Sequence, residues 1–107
     1  MKKIELVVTR HPALLEYLRE IGVVTKEVMT ISHATIEEVA GKNVCGVLPH
    51  SLSAACRTFS EVPLSLPIEL RGKELALAEI KKYAGELVTY TVARVCAENH
   101  APEEWLT

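Results

Sequence analysis

The chain has 107 residues, 49% of them hydrophobic and 24% charged, with 5 Gly, 5 Pro and 3 Cys. A chain of this length buries roughly 60–70% of the surface its unfolded form exposes, so a single domain over residues 1–107 needs no disulfide or metal, and the composition excludes disorder, collagen-like repeats and a disulfide scaffold. The 12 Lys plus Arg against 14 Asp plus Glu leave a formal charge of −2, which excludes the global cationic field of a protein that coats long nucleic acid or an anionic membrane.

Lys2 and Lys3 open the chain as a signal peptide would, but Glu5 and Arg10 interrupt the apolar run behind them. No targeting or membrane-spanning segment is therefore expected, and the protein reads as cytoplasmic. Residues 4–9 are apolar and β-branched and stop at Arg10-His11-Pro12, which predicts a buried strand and a loop. Leu14, Leu15, Leu18 and Ile21 recur at three- and four-residue spacing between Pro12, suited to a first helical position, and Gly22, suited to a C-terminal cap. This predicts a helix over 12–21.

A second strand is expected over 27–32, ending at Ser32, and Thr35 with Glu38 spells a capping box for a short helical turn to Ala40. Residues 43–48 predict a third strand halted by Pro49, and Ser51 as N-cap before Leu52, Ala55 and Phe59 predicts a helix over 51–59. Residues 62–66, bracketed by Pro63 and Pro67, read as a short or edge strand, and 71–84 as a third major helix ending at Gly85. Over 87–95 the β-branched run favours a strand above a helix continued through Gly85, because an interior glycine costs a helix about 0.5–1 kcal/mol. Residues 101–107 are expected to form one more helical turn, with Trp105 packing it onto the body, or to fray. Strands alternating with helices predict an α/β fold: a mostly parallel sheet of about five strands with helices on both faces.

Three of the 4 histidines, His11, His33 and His50, follow the first three predicted strands. In an open parallel sheet those ends share one edge, where ligands bind and helix N-termini present free N–H groups. Thr9, Arg10, Ser32, Pro49 and Ser51 share these loops, and Arg71 and Lys73 follow the fourth predicted strand. A cationic, hydroxyl-rich rim suited to phosphates is thus expected on an acidic protein. Simpler roles stand beside this one: His or Ser after a strand capping a turn, Arg10 pairing with a carboxylate, and the Thr9 and Ser51 hydroxyls capping helices.

Cys45, Cys56 and Cys96 are odd in number and lack C-x-x-C spacing, so reduced thiols are expected. The chain has no H-E-x-x-H, G-x-S-x-G, Walker A or dinucleotide glycine motif. Glu5, Glu27 and Glu61 are expected to precede or open strands, away from the rim, which disfavours a metal-dependent nuclease centre; no metal or cofactor is expected. Arg57, Lys81, Lys82 and Arg94 read as solvated surface.

The rim segments also carry a resemblance. Val8-Thr9-Arg10-His11-Pro12, then Gly46-Val47-Leu48-Pro49 running into Leu52 and Ala54-Ala55, then Leu64-Ser65-Leu66-Pro67 with Arg71-Gly72-Lys73-Glu74-Leu75, occur in an order and spacing similar to small accessory proteins of type III CRISPR systems, the Csx sixteen-type ring nucleases. The resemblance spans residues 7 to about 92. The chain departs from that pattern at Ala13-Leu14, Tyr17, His50-Ser51 and Ser65.

The resemblance implies a Rossmann-like domain related to the CARF sensors of cyclic oligoadenylates, acting as a homodimer with its ligand at the two-fold interface. It implies metal-independent cleavage of cyclic tetra-adenylate to linear oligoadenylates with 2′,3′-cyclic phosphate ends, which switches off the effector nucleases of type III CRISPR defence. On this reading Arg10 and His11 carry the chemistry with Lys73 assisting, while Thr9, Ser32, His33, Pro49, His50, Ser51 and Arg71 bind substrate. Neither long nucleic acid nor a membrane is expected as a partner. The alternative is a non-catalytic sensor or sequestering protein for the same ring.

Overall fold

Two strands buried at every position, Leu6–Val8 (β1) and Asn43–Gly46 (β3), lie at the centre of the fold in a computed structural model that describes residues 3–95. Such continuous burial is what strands covered on both faces require. Met29–Ile31 (β2) pairs with β1, and Thr58–Glu61 (β4) pairs with β3, all in parallel. Val88–Tyr90 (β5) is antiparallel at the outer side of β4, giving the order β2-β1-β3-β4-β5.

Side chains alternate across the sheet and recruit helices to both faces. On one face Leu14 and Leu18 of α1 (Pro12–Glu20) and Ile80 of α4 (Leu77–Tyr83) share a core with Val7 and Cys45. On the other, Val39 of α2 (Ile36–Val39) and Leu52 of α3 (His50–Ser53) pack with Leu6, Val8 and Val44. The protein is therefore a mostly parallel, five-stranded α/β domain of Rossmann-like form. Among the described residues no helix is long and apolar enough to cross a membrane.

Up to β3 the elements follow the punctuation of the sequence. Pro12 opens α1, and Gly22 follows it at φ 79°. The capping box is formed as expected: the Glu38 N–H donates to Thr35 Oγ1 at 3.4 Å and the Thr35 N–H to Glu38 Oε1 at 2.8 Å. Thr35→Ala is accordingly expected to cost about 1 kcal/mol, read from the urea midpoint at unchanged slope. An unmoved midpoint would show that Val39 packing alone holds α2.

After Pro49 the structure departs from the expected elements. The helix predicted over 51–59 is only His50–Ser53, with Pro49 rather than Ser51 at its N-cap, and Thr58–Glu61 is a strand. The Arg57 N–H donates to the Lys42 carbonyl and the Thr58 hydroxyl to Asn43 Oδ1, both at 2.8 Å, which draws the chain back beside β3. Pairing with a buried strand outweighs the helical spacing of Leu52, Ala55 and Phe59.

The strand expected over 62–66 is reduced to one isolated bridge, Leu64 with Ala84, because Pro63 and Pro67 bring no N–H to a ladder. The helix expected over 71–84 shrinks to α4, preceded by a 3₁₀ turn at Ile68–Leu70, with Gly72 at φ 78° in a conformation foreign to a helix interior. The last strand forms as predicted, within 87–95, and the Ser60 and Thr89 hydroxyls meet across it at 2.8 Å. Cys96, Trp105 and the turn expected over 101–107 lie outside the described residues.

Candidate functional site

The parallel register sets Val8 beside Ile31 as the last residues of their strands, and in both loops the chain reaches the site residue two positions later, Arg10 and His33. This equal overhang joins residues far apart in sequence: Arg10 Nη2 lies 3.2 Å from His33 Nε2 and 3.4 Å from Nδ1. Thr9, directly before Arg10, is buried. Its N–H extends the ladder to the Ile31 carbonyl at 3.0 Å, and its hydroxyl accepts the His11 N–H at 3.1 Å, which fixes the chain as it enters α1. The Thr9 hydroxyl thus orders the loop rather than capping a helix.

On the other side of β1, Gly46 ends β3 opposite Val8 at φ 137°. A Cβ at this position would lie 1.9 Å from the Val8 carbonyl oxygen, so only glycine permits the approach that lets the Val47 N–H reach that oxygen at 3.1 Å.

Between β1 and β3 the order of strands reverses, which is where open α/β sheets bind ligands. A groove of about 450 Å³ opens there. Thr9, Arg10, His11, Ser32, His33 and Pro49 line it together with the apolar Val8, Leu48 and Leu52. No carboxylate lines the groove, and among the described residues none stands at ion-pair distance from Arg10. The guanidinium keeps its charge available for a phosphate, for which its planar fork is suited.

Of the ten expected site residues, then, six gather in this groove. Lys73 instead lines a second hollow of about 370 Å³ that shares His11 and Val47 with the groove. His50 and Ser51 lie exposed on α3 and line neither cavity. Arg71 lines neither as well, and its Nε donates to the Leu66 carbonyl at 3.4 Å; it no longer follows the fourth strand directly, because that strand ends at Glu61. Glu61 corrects a second expectation. It closes β4 at the carboxyl end and lines the second hollow instead of opening a strand away from the rim. Val47, 73% exposed between the two cavities, was not among the expected site residues. The signal that could have found it is the lone glycine before it, which marks a close backbone approach.

Among the described residues no three His, Cys, Asp or Glu side chains gather as a metal-ligand set. Burial pushes the Cys45 thiol from 9.0 up to about 12 and raises Cys56 as well, so neither supplies a thiolate near neutrality. Iodoacetamide at mildly alkaline pH is expected to leave Cys45 unmodified in the folded protein and to label it in urea, as read by mass spectrometry; labelling under native conditions would contradict its burial. Because the folded-state value is the raised one, the unfolded chain holds fewer protons between about 9 and 12. This thiol's contribution to stability is thus complete below that window and is lost as pH rises through it.

The family model of the CRISPR-associated proteins Cas_VVA1548 matches residues 6–93. No curated protein and no solved structure matches the chain. The matched span holds every strand and helix described above, together with the groove and the second hollow, and the chain belongs to the Cas_VVA1548 family of CRISPR-associated proteins.

Proposed function

We propose that the groove binds cyclic tetra-adenylate and cleaves it without a metal, to linear oligoadenylates with 2′,3′-cyclic phosphate ends, so ending the signal that type III CRISPR systems send to their effector nucleases. The observation that carries this reading is an unneutralised Arg10 held against His33 and beside His11, in a groove without carboxylates, in a chain of a CRISPR-associated family.

The chemistry is transesterification within one nucleotide. The ribose 2′-oxygen bonds to phosphorus as the bond from phosphorus to the 5′-oxygen breaks. An imidazole takes the 2′-hydroxyl proton, and an imidazolium returns one to the departing 5′-oxygen. Histidine ordinarily titrates nearest to neutrality, so His11 and His33 suit these two roles. Arg10 donates to the phosphoryl oxygens as charge builds on them. Binding the ring in the groove supplies the in-line geometry. A ring of four identical nucleotides has two-fold symmetry, so a homodimer offering one groove per copy matches it.

The test is incubation of the purified protein with cyclic tetra-adenylate in EDTA, with chromatography of the products. Linear products ending in a cyclic phosphate are expected. Intact ring with a raised melting temperature would replace the enzyme by a sensor or sequestering protein, and neither effect would overturn both.

A further inference from the structure

We infer that the second hollow receives an adenine base of the ring whose phosphate occupies the groove, an inference that rests on the function proposed above. The two cavities share His11 and Val47 and therefore adjoin, and in this inference one nucleotide lies across these two residues with its phosphate on one side and its base on the other. The charges decide which part goes where. The groove offers Arg10 and two histidines without a carboxylate, whereas Lys73 in the hollow is outnumbered by Glu61 and Glu74. A phosphate is drawn to the first and repelled from the second.

The walls of the hollow are apolar, from Leu14, Leu64, Leu66 and Leu75. Apolar walls with a few polar groups at about 370 Å³ are the usual make-up of a small-ligand pocket. Adenine matches both parts. Its faces are apolar, and its edge carries an exocyclic amine that donates and ring nitrogens that accept. A carboxylate only accepts and an ammonium only donates, so Glu61, Glu74 and Lys73 are complementary to that edge.

The experiment titrates methyl-labelled protein with the 2′-fluoro analogue of the ring, which has no attacking hydroxyl, and follows methyl chemical shifts by NMR. Adenine in the hollow is expected to move the methyl signals of Leu64, Leu66 and Leu75 through its ring current. Shifts confined to Val8, Leu48 and Leu52 would place the base in the groove and overturn the inference while leaving the proposed function standing. Shifts nowhere would overturn the proposed function and the base subsite with it. Leu66→Trp, which fills the hollow, is expected to raise the Kd for the analogue about tenfold or more. An unchanged Kd in a variant with a dispersed, folded methyl spectrum would also overturn the inference.

Discussion

Arg10→Ala is expected to slow single-turnover cleavage of cyclic tetra-adenylate by about a hundredfold or more while leaving the melting temperature in place. Removing one preorganised donor from the charge that develops in a transition state typically costs 10²–10³-fold. Arg10 is exposed, and the side chain it meets is the exposed His33, so its loss should change stability by no more than about 0.5 kcal/mol. Arg10→Lys separates charge from shape: it keeps a cation but loses the planar fork, and should fall between the two rates. His11→Ala, acting on proton transfer, should slow turnover by more than about tenfold. Wild-type turnover in Arg10→Ala would remove this residue from the mechanism, and a large fall in melting temperature would make it structural.

The arginine's partner illustrates how far the sequence reaches. Both residues stand out in the chain, as an arginine and a histidine closing apolar runs, but 23 positions separate them and no local pattern pairs them. The Val8–Ile31 register does so, and register is a property of the assembled sheet. Elements bounded by strong local chemistry were legible: Pro12 and Gly22 around α1, and the box of Thr35 and Glu38 over the first turn of α2.

Residues 51–84 were less legible because competing patterns overlap there. The spacing of Leu52, Ala55 and Phe59 suits a helix, while Thr58 to Glu61 suits a strand, and only the free edge of β3 decides between them. That one displacement moves the end of the fourth strand to Glu61. It thereby brings a carboxylate to the carboxyl edge of the sheet and leaves Arg71 beyond the Leu64 bridge and the 3₁₀ turn, no longer next after the strand. The formal charge of −2 has a similar lesson, since it conceals a division into a cationic groove and a hollow in which carboxylates outnumber the lysine.

Gly46→Ala is expected to remove most or all of the stability of the domain. The added methyl would lie 1.9 Å from the Val8 carbonyl oxygen and 2.8 Å from its carbon, and both obstacles are backbone at the centre of the sheet. No rotamer change can clear them. Relief requires β3 to move off β1, which breaks the bond from the Val47 N–H to Val8 and opens the core on both faces. A loss above about 4 kcal/mol is expected, against a total of about 5–15 kcal/mol for a domain of this kind. At about 4–8 °C per kcal/mol, the melting temperature should fall by roughly 15–30 °C if a folded state survives.

Gly22→Ala supplies the control that separates collision from backbone strain. Gly22 also has positive φ, 79°, but nothing stands within 4 Å of a Cβ built there. It should lose only the about 1–2 kcal/mol of a left-handed residue. Equal losses in the two variants would show that conformation rather than contact makes position 46 a glycine, and the close approach of β1 and β3 would then not be what shapes the groove. A much larger loss at Gly46 ties the site to the fold, because the contact that admits only glycine also sets Thr9, Val47 and the ends of both central strands around the proposed phosphate.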